Sequence, residues 1–88
     1  MIFEFDENKR KTNIAKRGLD FLIAEDILTA GSIKIIPDTR EDCGEDRFNA
    51  FTELKGVRLC MCYTMRDDVY RIISLRKVHE REWRKIWR

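Results

Sequence analysis

Val57-Arg58-Leu59-Cys60-Met61-Cys62-Tyr63-Thr64-Met65 decides how this chain is read. Val57, Leu59, Met61, Tyr63 and Met65 alternate onto one side of an extended backbone, and Cys60 and Cys62 onto the other. An apolar run on both faces marks a central strand. The flanking residues are turn formers. Lys55-Gly56 precedes the run, and Asp67-Asp68 follows it and leads into a further strand, Val69 to Leu75. Arg47 to Leu54 reads as the strand before the first turn. Three strands joined by hairpin-length links imply antiparallel pairing.

Working outward, Ile2-Phe3-Glu4-Phe5 is a short alternating strand. Asp6 has the carboxylate to cap a helix running to about Arg17, which Gly18 ends. Ile14 and Ala15 are the core contacts expected of that otherwise polar helix. Asp20 caps a second, more apolar helix, with Ile23 and Ile27, and Ala24 and Leu28, at four-residue spacing. Gly31 stops it. Ile33 to Ile36 is a strand broken by Pro37-Asp38, and the last helix is expected over about Arg76 to Arg88. The elements therefore run β-α-α-β-β-β-β-α. The fold class is α+β: a small antiparallel sheet with two N-terminal helices and a C-terminal helix, in a single domain spanning 1–88.

The chain has 88 residues, 43% hydrophobic and 39% charged, enough for one thin core and too few for a multi-domain enzyme. Its longest apolar runs are far short of the ~20 residues of a membrane span. The N-terminus has no basic start followed by a long apolar run, so no signal peptide is read there. Cys43, Cys60 and Cys62 are an odd number without framework spacing. Reduced thiols in the cytoplasm are the simplest reading, with Cys60 and Cys62 as small core residues. No membrane partner is expected.

Eighteen Lys or Arg nearly balance sixteen Asp or Glu, for a net charge of +2, but the distribution is uneven. Residues 1–17 carry +2, residues 18–68 carry −5, and residues 69–88 carry +5 from seven basic and two acidic side chains. A basic C-terminal fifth on an acidic body suggests a localised anion-binding surface; a solvated helix face is the plainer alternative. If residues 76–88 are helical, Lys77, Arg81, Arg84 and Arg88 form one stripe, opposite His79, Trp83, Ile86 and Trp87. That stripe has the spacing to follow a phosphate backbone. Arg71 and Arg76 precede it.

Several mechanisms are excluded or demoted. His79 is the sole histidine, so no two-histidine acid/base pair exists, and it reads as a packed or half-buried helix residue. There is no glycine-rich phosphate loop, no Ser-His-Asp motif and no usable Cys/His zinc set. The acidic stretch from Asp38 to Asp46, with Glu41, Asp42 and Glu45, lacks the spacing of a calcium loop and reads as solvated. Metal: none; cofactor: none. What remains is an Arg/Lys anion site, able to stabilise a phosphorane as an internal 2′-OH attacks the adjacent phosphate of RNA. Glu80, Glu82, Tyr63 or Tyr70 could supply acid/base help.

Phe5-Asp6-Glu7-x-Lys9 followed by Asn13-x-x-Lys16-x-Gly18 resembles the opening of BrnT toxins. Glu45-x-Arg47-Phe48 is similar to that family's acidic-Arg-Phe strand start. Most specific is Arg71-Ile72-Ile73-Ser74-x-Arg76-Lys77 with Glu82 after it. The resemblance covers nearly the whole chain in order. It implies a RelE-like, metal-independent endoribonuclease toxin of a bacterial type II toxin–antitoxin pair, neutralised by a BrnA-type ribbon-helix-helix antitoxin. The pair would repress its own promoter, reaching DNA only through the antitoxin. In that reading Arg71, Arg76 and Arg81 stabilise the phosphate and Lys77 assists. Lys9, Lys16, Arg17, Arg84 and Arg88 would hold RNA. The family usually has His at Arg17, Ala at Leu75 and Tyr near Ile86-Trp87, departures that bear on the acid and base. Two other readings use the same basic surface: a catalytically silent module acting as co-repressor with its antitoxin, and a direct DNA-binding protein. The last lacks a helix-turn-helix signature.

Overall fold

The computed structural model describes residues 1–38 and 45–87. Strand β1 (Ile2–Glu4) leads into helix α1 (Glu7–Arg17). A 3-10 turn (Phe21–Ile23) runs directly into a short helix, α2 (Ala24–Leu28). Strands β2 (Ile33–Asp38), β3 (Arg47–Leu54), β4 (Val57–Arg66) and β5 (Val69–Lys77) follow, and α3 (Glu80–Ile86) closes the chain. They form one five-stranded sheet in the order β1-β5-β4-β3-β2, with β4 at its centre.

The sheet is mixed, which overturns the expected small antiparallel sheet with two N-terminal helices. β2 to β5 pair antiparallel, but β1 lies parallel to β5, Ile2 opposite Val69 and Glu4 opposite Arg71. Hairpin logic sees only neighbours in sequence, whereas β1 joins a strand more than sixty residues away. The second N-terminal helix is also less than expected. Asp20 accepts from the Leu22 amide and so caps the 3-10 turn, and α2 is only five residues long, ending at Leu28 rather than Gly31.

Local signals explain the remaining boundaries. Asp6 Oδ1 accepts from the amides of Asn8 (2.7 Å) and Lys9 (3.3 Å), satisfying donors that a helix start leaves open. Gly18 closes α1 at φ +70°, where a Cβ would be strained. Both hairpins turn through paired positive φ angles, Lys55 (50°) and Gly56 (81°), then Asp67 (49°) and Asp68 (67°). Two consecutive residues of this kind match the right-handed twist of the strands.

One face of the sheet carries the main core, where Phe21, Ala24 and Ile27 cover Ala50, Leu59, Met61, Tyr63, Ile72 and Leu75. The other face packs Phe51 and Cys60 against Val78 and Trp83, with Ile36, Ile86 and Trp87 around them. Cations of the sheet hold α3 there as well. Arg58 stacks 5.3 Å from the Trp83 ring, and Lys34 lies 5.5 Å over Trp87 while donating to the Ile86 carbonyl at 2.8 Å.

α1 takes a different position from the one expected. Ile14 and Ala15 are exposed, and its buried residue is Asn13, 6% accessible. β1 pairs with β5 only as far as Arg71. Beyond it the outer edge of β5 meets Asn13, whose Oδ1 accepts from the Leu75 amide (3.2 Å) while Nδ2 donates to the Leu19 carbonyl (2.9 Å). A helix side chain thus replaces a missing strand partner and covers the edge.

Candidate nucleic-acid interface

The second face of the sheet, the one on which α3 packs, also holds the arginines. Register puts Arg71 opposite Thr64, Ser74 opposite Cys62 and Arg76 opposite Cys60, so these side chains share the Cys60 face. Cys62 and Tyr63 pair with Ser74 and Ile72, leaving Ile73 as a bulge. The bulge shifts the alternation by one residue, which lets Ile72 and Leu75 both reach the core while Arg71, Ser74 and Arg76 stay together. Arg47 on β3 alternates with Asn49, opposite Cys62, onto the same face.

Carboxylates organise these cations. Arg71 meets Glu4 across β1 at 3.3 Å. Arg76 grips Glu82 with two parallel bonds, Nη1 to Oε1 at 2.8 Å and Nη2 to Oε2 at 2.9 Å. That fork geometry fixes the guanidinium plane. Arg76 holds the Glu82 carboxyl below its ordinary value, and His79 and Lys85 add attraction. Glu45 is held down in the same direction, first by its hydrogen bond from Arg66, then by the charges of Arg66, Arg47 and Arg71. Arg47, Arg66 and Arg71 therefore cluster around Glu45, with Arg71 paired to Glu4.

Among the described residues the expected basic stripe loses Lys77. β5 continues to Lys77, and α3 starts only at Glu80, so Lys77 belongs to a strand. It pairs with Leu59 and lines an apolar cavity of about 700 Å³ on the main-core face, with Leu19, Ile23 and Leu54. Arg71 and Arg76 share one face of β5; Lys77 is on the opposite face. Arg81 and Arg84 are exposed on α3, where Arg84 pairs with Glu80 at 3.4 Å. Of the acid/base candidates, only Glu82 touches an arginine of the sheet face. Tyr63 is 5% exposed in the main core against Phe48 and Tyr70, and burial raises its phenol. Tyr70 also stacks there on Phe3. His79 is exposed at the N-cap of α3, not packed.

Lys9, Lys16 and Arg17 meet elsewhere. With Thr12, Ile73 and Ser74 they line a groove of about 450 Å³ between α1 and the edge of β5. Arg17 also donates to Asn13 Oδ1 and to the Leu75 carbonyl, each at 3.4 Å.

Reading the sequence missed Arg47 and Arg66 as part of the arginine face, and Asn13 as its support. Arg66 follows the apolar run of β4 at the two-residue period of Cys60, Cys62 and Thr64, a usable signal; Asn13 gave none. The acidic stretch is described only in part. Glu45 serves Arg66, and the Asp46 carbonyl accepts from Thr64 Oγ1 at 2.6 Å. Glu41, Asp42, Cys43 and Arg88 lie outside the described residues. Among the described residues no group of three or more His, Cys, Asp or Glu side chains is placed to hold a metal ion. No described helix is long and apolar enough to cross a membrane.

No curated protein matches the chain. The family model described as "Ribonuclease toxin, BrnT, of type II toxin-antitoxin system" matches residues 5–82, which takes in α1, the four strands β2 to β5, and Glu82. The chain belongs to the BrnT family of ribonuclease toxins of type II toxin–antitoxin systems.

Proposed function

We propose that this chain is a metal-independent endoribonuclease toxin that cuts RNA on the arginine-bearing face of the sheet. The observation that carries the reading is the pair Arg71 and Arg76, on one face of β5 with Ser74 between them, in a chain of a ribonuclease toxin family. The ribose 2′-oxygen attacks the adjacent phosphorus and loses its proton. The bond from phosphorus to the 5′-oxygen breaks, and that oxygen takes up a proton. The products are a 2′,3′-cyclic phosphate and a 5′-hydroxyl. Charge builds on the non-bridging oxygens in between, and guanidiniums already held in place stabilise it without reorganising.

Glu82 then acts as a positioning residue. Its carboxyl is held low by Arg76, which makes it a weak base, but its two bonds aim the guanidinium. Arg71 and Arg76 are the phosphate-stabilising residues of this proposal, with Arg47 and Arg66 extending the positive face. Arg81, Arg84, Glu80 and Lys77 stand outside it. Type II membership implies an antitoxin, for which we infer a BrnA-type ribbon-helix-helix protein that carries the complex to promoter DNA. The cytoplasm is the compartment in which such a toxin meets RNA.

The test is expression in bacteria with and without Arg76→Ala, followed by mapping of RNA ends. Growth arrest and cut RNA with wild type, both lost in the variant, support the reading. A wild-type protein that neither slows growth nor cuts RNA removes it, and leaves the silent co-repressor.

A further inference from the structure

The groove between α1 and β5 opens beside the arginine face and shares Ser74 with it. Its far wall is helical. Lys9, Thr12 and Lys16 recur at three and four residues, so they stack along one side of α1, while Lys11 lies on the opposite side. Among the described residues no carboxylate pairs with Lys9 or Lys16, in contrast to Arg71, Arg76 and Arg84, each of which has one. The acid on the groove wall, Asp6, is turned to the amides of Asn8 and Lys9. Its floor is the β5 bulge, where Ile73 supplies apolar surface and Ser74 a hydroxyl. At about 450 Å³ it is within the roughly 300–1,000 Å³ of ligand-sized clefts.

We infer that this groove is a second subsite for single-stranded RNA, holding the sugar-phosphate next to the cleaved bond after the strand passes over Ser74. Lys9, Lys16 and Arg17 take its phosphates, and Ile73 packs against a ribose or base. The inference rests on the ribonuclease reading for its substrate class, but it concerns binding alone. The bulge has a purpose in this account: it presents Ile73 and Ser74 outward at the one stretch of β5 edge that no strand covers.

The experiment measures the affinity of the purified chain for a fluorescent, non-cleavable 2′-O-methyl RNA oligonucleotide over a range of salt. Each phosphate contact on a single strand contributes about 0.7 to the slope of log K against log salt. Lys9→Ala with Lys16→Ala should lower that slope by about 1.4, and Lys11→Ala should lower it by much less. Circular dichroism checks that the variants are folded, which exposed positions on α1 favour. An unchanged slope in the double variant, or an equal loss in Lys11→Ala, overturns the subsite. Wild type that cuts RNA while the slope is unchanged sinks the groove and spares the nuclease. A groove-dependent slope without any cleavage does the reverse. Absence of RNA binding in wild type ends both.

Discussion

Asn13→Ala should be among the most damaging single changes to this fold, although the residue belongs to a polar surface helix. The side chain makes two bonds to backbone groups, accepting from the Leu75 amide at 3.2 Å and donating to the Leu19 carbonyl at 2.9 Å. Alanine leaves both without that partner and cannot replace it. A buried donor or acceptor left unsatisfied costs about 1–3 kcal/mol. The Leu75 bond is fully buried; Leu19 is half-buried, so water can reach its carbonyl in part. The sum is about 2–4 kcal/mol, a large share of the roughly 5–15 kcal/mol that stabilises a typical domain. At about 4–8 °C per kcal/mol for a chain of this size, the melting temperature should fall on the order of 10–30 °C. Asn13→Asp, which keeps the acceptor and loses the donor, should fall between. Hydrogen exchange gives a local readout, since the Leu75 amide should lose protection in Asn13→Ala before the β3–β4 amides do. A variant within about 0.5 kcal/mol of wild type, with Leu75 still protected, would refute the claim that this side chain stands in for a strand.

Three further outcomes are expected. Glu82→Gln removes one charge from the Arg76 fork; as the pair is about a third exposed, the stability loss should be no more than about 1 kcal/mol. Because the folded carboxyl sits below its ordinary value near 4.5, its contribution is present above that pH and vanishes as pH falls through the lowered value. Melts at pH 7 should therefore separate the two proteins, and melts at about pH 3 should bring them closer; a gap that widens in acid would contradict the assignment. Asp68→Gly, at φ 67°, relieves a left-handed residue and should stabilise by about 0.5–1 kcal/mol in urea titration, whereas a loss of stability would argue against the turn geometry. Burial pushes the Cys60 thiol up to about 11, so mass-mapped alkylation at pH 8 should leave Cys60 unlabelled until urea is added; rapid labelling in the native protein would show that α3 does not cover it.

What could be read in advance was local. Asp6 and Gly18 end α1 through the amides and the positive φ their residue types suit. Lys55-Gly56 and Asp67-Asp68 make the turns, and the alternation of β4 puts Cys60 and Cys62 opposite Leu59 and Met61. What could not be read depended on distant partners. The parallel pairing of Ile2–Glu4 with Val69–Arg71 leaves no mark on either segment, and that pairing makes the sheet mixed. Arg76 and Lys77 are good helix formers, yet they extend β5 because Arg76 and Lys77 pair with Cys60 and Leu59. That extension takes Lys77 out of the helical stripe and separates the two residues onto opposite faces. The charge imbalance drew attention to residues 69–88, but much of that charge is paired. Arg71, Arg76 and Arg84 each meet a carboxylate, and Arg47 and Arg66 from the acidic middle segment join the face instead.

The most direct test of the account is cleavage of a defined RNA by the purified chain in the presence of a chelator, with wild type beside Arg76→Ala and Arg71→Ala. Loss of one preorganised cation should slow cleavage by about 10²–10³-fold. The wild-type products should carry 2′,3′-cyclic phosphate and 5′-hydroxyl ends. Wild-type protein that leaves the RNA intact, or both variants cutting at the wild-type rate, would contradict the claim that these arginines carry the reaction.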